Sequence, residues 1–274
     1  MNPLVVVIVT AAIASAFALI AQFVTRDFSW VDRLWSILPV VYCGIFAGAA
    51  GFTDARLNVM AALVALWGVR LTANFARKGG YSGTEDYRWA ILRTRMTPAR
   101  FAAFGVFFIV LYQNAILVLI TLPAYTAFEH RSTSFGVLDA LATIGFAGFL
   151  AGESIADNQQ WRFHQRKRAA AAVSESVDPP FLVDGLWKYS RHPNFFFEQA
   201  QWWVLFLFGA IAAGSVLQWT VLGAFLLTVL FVGSTVFTES ISAAKYPAYA
   251  GYRARTSAVV PWLPKPERAE HATS

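Results

Sequence analysis

Hydrophobic and polar positions along the chain fall into long blocks rather than into alternating or helical periods. Seven apolar stretches stand out, at about 3–24, 34–52, 57–75, 101–128, 135–152, 195–214 and 219–238. Each is at least as long as the roughly 17 residues that a helix needs to cross a bilayer. A chain in hydrocarbon must bond its own N–H and C=O groups, which predicts helices. The expected fold class is therefore all-α: a polytopic membrane protein with seven transmembrane helices. Arg70 interrupts the third stretch, the fifth contains Asp139 and the sixth contains Glu198. The last two stretches share one run, 199–238, that carries no charge. Gly214, Ser215 and Gln218 mark the turn that splits it.

Composition agrees with this pattern: 57% of residues are hydrophobic, 14% are charged, and mean hydropathy is +0.50. Charge then predicts orientation. All but two of the 22 Lys and Arg residues fall in alternate connections, which the positive-inside rule assigns to the cytoplasm. The N-terminus is expected outside and the C-terminus inside. The same bias accounts for much of the pI of 9.6, so no nucleic-acid partner is needed to explain it. No basic residues precede the first apolar run, which therefore predicts a spanning helix and not a cleaved leader. The lone cysteine, Cys43, lies in an apolar run and is assigned to packing. One membrane domain is expected over 1–262, with 1–134 on the substrate side and 135–262 on the cofactor side. The Pro-rich, charged tail at 263–274 is expected to be disordered.

Polar residues in or beside spans carry the candidate chemistry. Residues 185–198 run from Gly185-Leu-Trp187 through Tyr189-Ser-Arg191-His192-Pro193-Asn194 to Glu198. Pro193 suits a first helical position, and the free N–H groups after it favour an anion. Glu198 follows Asn194 by four residues, which puts both on one face. The plainer reading is a helix cap with a structural ion pair. Upstream, Glu153, Asp157, Gln160 and His164 form a stripe at spacings of 4, 3 and 4, with Arg162, Arg166, Lys167 and Arg168 around it. Carboxylates suit ribose hydroxyls, and arginines suit phosphates. An ordinary solvated helix is the alternative.

Further candidates lie elsewhere in the chain. Trp67, Arg70 and Asn74 share a face of the third span; Asp32 and Trp35 share one before the second. The tryptophans suit an interfacial belt, whereas Arg70 and Asn74 suit a cytoplasm-side cavity. The loop Tyr81–Trp89 holds Glu85, Asp86 and Tyr87. After the last span come Glu239 and then Tyr246, Tyr249 and Tyr252, either an interfacial helix or a lid. No two of the four histidines have the spacing of a helical metal pair, so no metal is expected. P-loop, Gly-x-Gly-x-x-Gly and Gly-x-Ser-x-Gly motifs are absent from the sequence.

Three of these pieces together resemble the steroid 5-alpha-reductase family in its broad sense, bacterial members and sterol C14/C7 reductases included. They are Glu153-x-x-x-Asp157-x-Gln159, the Gly185–Asn194 block with Glu198, and Glu239 with Tyr249-x-x-Tyr252 and Pro261-Trp262. The resemblance implies an NADPH-dependent oxidoreductase acting on a CH–CH group: a 3-oxo-4-ene steroid or sterol-like enone would accept hydride at the β-carbon and a proton at the α-carbon. It implies that Asp157 holds the adenosine side of the cofactor and Asn194 the end near the nicotinamide; the further expected cofactor contacts are Arg70, Asn74, Glu153, Gln160, Arg162, His164, Tyr189, Arg191, His192 and Glu239. Glu198 would belong to the polar network beside them. It further implies a multi-pass protein, a monomer in a bacterial inner membrane, with its active site facing the cytoplasm.

The chain departs from that family in three places. Ser36-Ile37-Leu38-Pro39 replaces the Gln-Glu pair that grips the steroid ketone, so the acid is sought in Tyr87, Asp86, Glu85 or Asp32. Phe197 replaces a glycine, and Thr238-Glu239-Ser240 replaces a His-rich end. Two other readings stay open. Isoprenylcysteine carboxyl methyltransferases, which use S-adenosylmethionine, carry a similar Arg-His-Pro block. A membrane protein with a decayed site would also explain Phe197 and the lost glutamate.

Overall fold

A computed structural model describes residues 1–83 and 85–266; most of the tail expected to be disordered, from 267 on, lies outside the described residues. Among the described residues the regular elements are helical: α1 (Pro3–Thr25), α2 (Trp30–Trp35), α3 (Leu38–Ala49), α4 (Ala55–Arg77), α5 (Tyr87–Arg95), α6 (Pro98–Phe104), α7 (Gln113–Glu129), α8 (Val137–Ala172), α9 (Pro193–Ala213), α10 (Val221–Lys245) and α11 (Tyr249–Arg255). A π-helical segment, Gly105–Tyr112, joins α6 to α7. Seven helices are long and apolar enough to cross a membrane, α2–α3 and α6–α7 each counting as one. They match the seven apolar stretches, and α8 outruns its stretch by twenty residues because the polar stripe after 152 continues the helix.

Local chemistry sets the helix ends. Asn2 and Asp54 accept hydrogen bonds from Leu4 N and Leu57 N, capping α1 and α4. Thr97 caps α6, with Pro98 at its first position. Gly214 ends α9 with φ +65°, a left-handed conformation that glycine adopts without steric cost.

The chain divides into two compact units. The first comprises Met1–Ala147 and Trp202–Leu227. Small residues let its helices approach closely: a Cβ at Gly68 would lie 2.6 Å from Ser36 O, and one at Gly209 would lie 2.8 Å from Pro123 O. Trp67 is fully buried, its ring centroid 4.8 Å from that of Trp202 in an edge-to-face pair. The belt expected for this tryptophan is corrected here, because Trp67 packs inward instead of toward an interface. Cys43 is buried, as its apolar setting implied.

An ion pair that the pattern did not suggest lies in the same unit. Arg56 Nε donates to Asp139 Oδ1 at 2.6 Å and Nη2 to Oδ2 at 2.9 Å, both side chains being 1% exposed. The guanidinium also donates to the carbonyls of Thr133 and Ser134, and Gly136 N donates to Asp139. The two side chains are thus bonded to each other and to the short connection before α8, which is the condition for such a pair to be tolerated in an apolar interior.

The second unit comprises Gly148–Gln201 and Thr228–Ser274. Phe197 packs against α8 at Gly152, where a Cβ would lie 2.5 Å from its ring. The bulk at 197 is therefore accommodated by the missing side chain at 152. Tyr249 and Tyr252 are buried, with ring centroids 5.1 and 5.6 Å from Phe181. Tyr252 OH donates to Trp187 O at 2.5 Å, which anchors this segment to the 185–198 block.

Candidate active site

In the second unit, α8, α9 and α10 each carry polar side chains at helical spacing. On α9, Asn194, Glu198 and Gln201 follow at i, i+4 and i+7 and share a face. On α8, Glu153 and Asp157 are buried, Gln160 is half-buried, and His164 and Arg162 are exposed. The expected stripe therefore leaves the interior by residue 164. Gln201 Nε2 donates to Glu153 Oε2 at 2.7 Å and to Phe197 O at 3.1 Å. Gln201 was not among the expected residues; a glutamine in an otherwise apolar run was the signal for it.

Arg191 forms the centre of a second group. Its Nε and Nη2 donate to the two oxygens of Glu239 at 2.6 and 3.0 Å. Its Nη1 donates to the carbonyls of Arg253 and Thr256. His192 Nε2 lies 3.4 Å from Glu239 Oε1, and Arg253 Nε lies 3.3 Å from Oε2. Arg191 N donates to Ser257 O, and Ser190 Oγ donates to Val259 O. The Arg-His-Pro block and the chain after α10 are thus tied together by side-chain and backbone bonds. Gln159 Oε1 accepts from Leu186 N at 3.0 Å and sets the block against α8. Tyr189 contributes its carbonyl to Trp262 N, while its ring is exposed.

Three buried polar atoms in this unit, Asn194 Oδ1, Gln201 Oε1 and Thr235 Oγ1, have no hydrogen-bond partner. A buried acceptor left unbonded costs stability unless something else supplies the donor. Outside the spanning segments, Tyr246 accepts a hydrogen bond from Lys167 Nζ at 3.2 Å. Burial pushes its phenol up, but Lys167 and Lys245 together carry it below its ordinary pKa.

The first unit holds the remaining candidates. Glu85 Oε1 accepts from Phe28 N at 3.1 Å and from Arg93 Nη2 at 2.7 Å. Asp86 caps α5, binds Arg88 through both oxygens, and donates its N–H to Ser29 Oγ. Trp89 Nε1 donates to Asp32 Oδ2 at 3.3 Å. Tyr87 is 54% exposed. Asn74 is buried and accepts from Arg77 Nε at 3.0 Å; Arg70, one turn earlier, is half-buried. Among the described residues no group of three His, Cys, Asp or Glu side chains has the arrangement of a metal site.

Comparison with known proteins adds the following. An uncharacterized protein of Schizosaccharomyces pombe is 38% identical over 255 residues, which cover 87% of this chain and 74% of that protein. No solved structure matches the chain. A family model described as a protein of unknown function, DUF1295, matches residues 17–256, and with that extent of match the chain belongs to the DUF1295 family.

Proposed function

We propose that this protein is an NADPH-dependent reductase of the carbon–carbon double bond of an enone lipid, a 3-oxo-4-ene steroid or sterol-like molecule being the substrate class. The observation that carries this reading is the set of buried polar groups on α8, α9 and α10, with Asn194 Oδ1 as an unbonded buried acceptor. Such an acceptor fits the carboxamide N–H of a nicotinamide. Buried Glu153 and Asp157 fit ribose hydroxyls, and the exposed Arg162, Arg166 and Arg168 fit phosphates. Ionisable groups inside spanning helices are expensive and mark function by default. The bound cofactor would supply the hydride.

The chain's own residues do the rest. Arg191 is a positioning residue in this reading: its bonds to Glu239 and to two carbonyls hold the start of α9 in place. Reduction builds negative charge on the ketone oxygen, so a donor must meet it there. The chain's candidates for that donor are Tyr87 first, then Asp86, Glu85 and Asp32, all in the first unit; Glu85 and Asp86 are bound to arginines, and Asp32 lies beside Trp89 and Arg88. The charge asymmetry of the connections supports an outside N-terminus and a cytoplasmic active site. A bacterial inner membrane and a monomeric state complete the proposal.

The test is thermal stability of the detergent-purified protein with NADPH, NADH or S-adenosylmethionine, alongside Asp157→Ala and Asn194→Ala. A rise with NADPH, lost in both variants, is the expected result. A rise with S-adenosylmethionine alone overturns it in favour of methyl transfer.

A further inference from the structure

Trp262 lies in the segment after α11 and is 73% exposed; Val260 and Leu263 beside it are 59% and 75% exposed. The segment is fixed in place by the backbone. Trp262 N donates to Tyr189 O at 2.9 Å, Lys265 N donates to Arg255 O at 2.9 Å, and Ser190 Oγ donates to Val259 O at 2.7 Å. Three large apolar side chains are thus held in the open, next to a stretch whose Tyr189 ring is also exposed. Two exposed cations flank them. Lys188 Nζ lies 6.0 Å from the Tyr189 ring centroid, and Lys265 follows Leu263 by two residues. Neither 185–191 nor 256–266 contains an acidic residue.

The depth of this patch follows from α9. Its 21 residues rise about 31 Å, which matches a hydrocarbon core of about 30 Å. With α9 across the bilayer, Pro193 lies at one boundary of that core. Tyr189, four residues earlier, lies at headgroup level, and its hydrogen bond holds Trp262 at the same level. Glu239 gives an independent mark on α10. It is the first charge after the run 199–238, and it is bonded to Arg191. Water is a poor solvent for three neighbouring apolar side chains. The headgroup layer instead takes tryptophan and tyrosine rings and lets lysines reach its phosphates.

We propose that Tyr189, Val260, Trp262 and Leu263, flanked by Lys188 and Lys265, form an interfacial anchor that binds anionic phospholipid. The apolar side chains enter the layer below the headgroups, and the two ammonium groups pair with lipid phosphates. The anchor holds the segment after α11 against the membrane. It does not depend on the reductase reading.

The experiment uses the full chain in nanodiscs of phosphatidylcholine with a minor share of phosphatidylglycerol. In paired samples an equal share of one lipid or the other carries bromine near the acyl carbonyl. Bromine quenches tryptophans that touch lipid, and the emission lost in Trp262→Phe isolates Trp262 from the other tryptophans. Quenching of that difference should show phosphatidylglycerol enriched over phosphatidylcholine, on the order of fivefold for each lysine at low salt. The enrichment should weaken at high salt. Lys188→Gln with Lys265→Gln should keep the quenching by phosphatidylcholine and lose the preference, whereas Lys188→Arg with Lys265→Arg should keep both. Equal quenching by the two lipids in wild type, a preference that survives the glutamine pair, or one lost with the arginine pair overturns the proposal. Quenching by aqueous iodide and by neither lipid places the segment in water and overturns it. A difference that follows the number of protein copies per disc and ignores bromine assigns the face to a second copy and overturns it as well.

Discussion

Arg191 and Glu239 meet side by side, two parallel hydrogen bonds of 2.6 and 3.0 Å joining residues 48 positions apart. Both side chains are at least nine-tenths buried. The pair closes the start of α9 onto the end of α10, and the third nitrogen of the guanidinium ties in the chain after α11. Removing Arg191 leaves the buried Glu239 only the longer contacts to His192 and Arg253, and breaking a buried pair costs about 3–5 kcal/mol. Arg191→Ala should therefore lower the melting temperature severely. Arg191→Lys keeps the charge but loses the fork, and its melting temperature should fall between the two.

Arg56 and Asp139 allow a cleaner experiment, because their partners are confined to each other and to one short connection. Arg56→Met and Asp139→Leu should each destabilise by several kcal/mol, whereas the double variant should be much milder. Additive losses in a double-mutant cycle, read by thermal melting, would show that the pair is not a unit.

Gly152 and Phe197 make a steric couple. Gly152→Ala should push into the Phe197 ring and cost about 1–3 kcal/mol, as overpacking does. Adding Phe197→Leu should recover most of that loss. Failure of the recovery would place the clash elsewhere.

Asn194→Leu separates stability from binding. Its Oδ1 bonds to nothing in the protein, so ligand-free melting should change by less than about 1 kcal/mol. Stabilisation by NADPH should disappear. A large loss of ligand-free stability would instead make Asn194 a structural residue.

Alkaline pH should loosen the second unit at its tyrosine anchor. Burial pushes the Tyr249 phenol up to about 12, and Tyr252 is raised for the same reason. A phenol whose folded pKa exceeds its unfolded value contributes stability that is complete below about pH 10. That contribution is lost as pH climbs toward 12. Tyr246 works in the opposite sense, being held low by Lys167. Melting temperature should fall between pH 10 and 12 in wild type and fall less in Tyr249→Phe; an equal fall in both would contradict the buried anchor.

The seven spans were legible in the sequence because hydropathy acts locally: a run of about twenty apolar residues has one stable form in hydrocarbon, whatever its neighbours. The turn at Gly214 and the cap at Pro193 were legible for the same reason, each set by the geometry of its own residue. The polar block at 185–198 also announced itself, since nothing in span packing requires it. Partnership was another matter. Arg56 looked like a loop charge and Asp139 like an interruption, and Trp67 looked like an interface residue. Each acquired its role only when the fold brought a distant residue to it: Asp139 to Arg56, Trp202 to Trp67, Glu239 to Arg191. Hydropathy assigns a residue to a span but carries no information on which face of the span it occupies or what packs there.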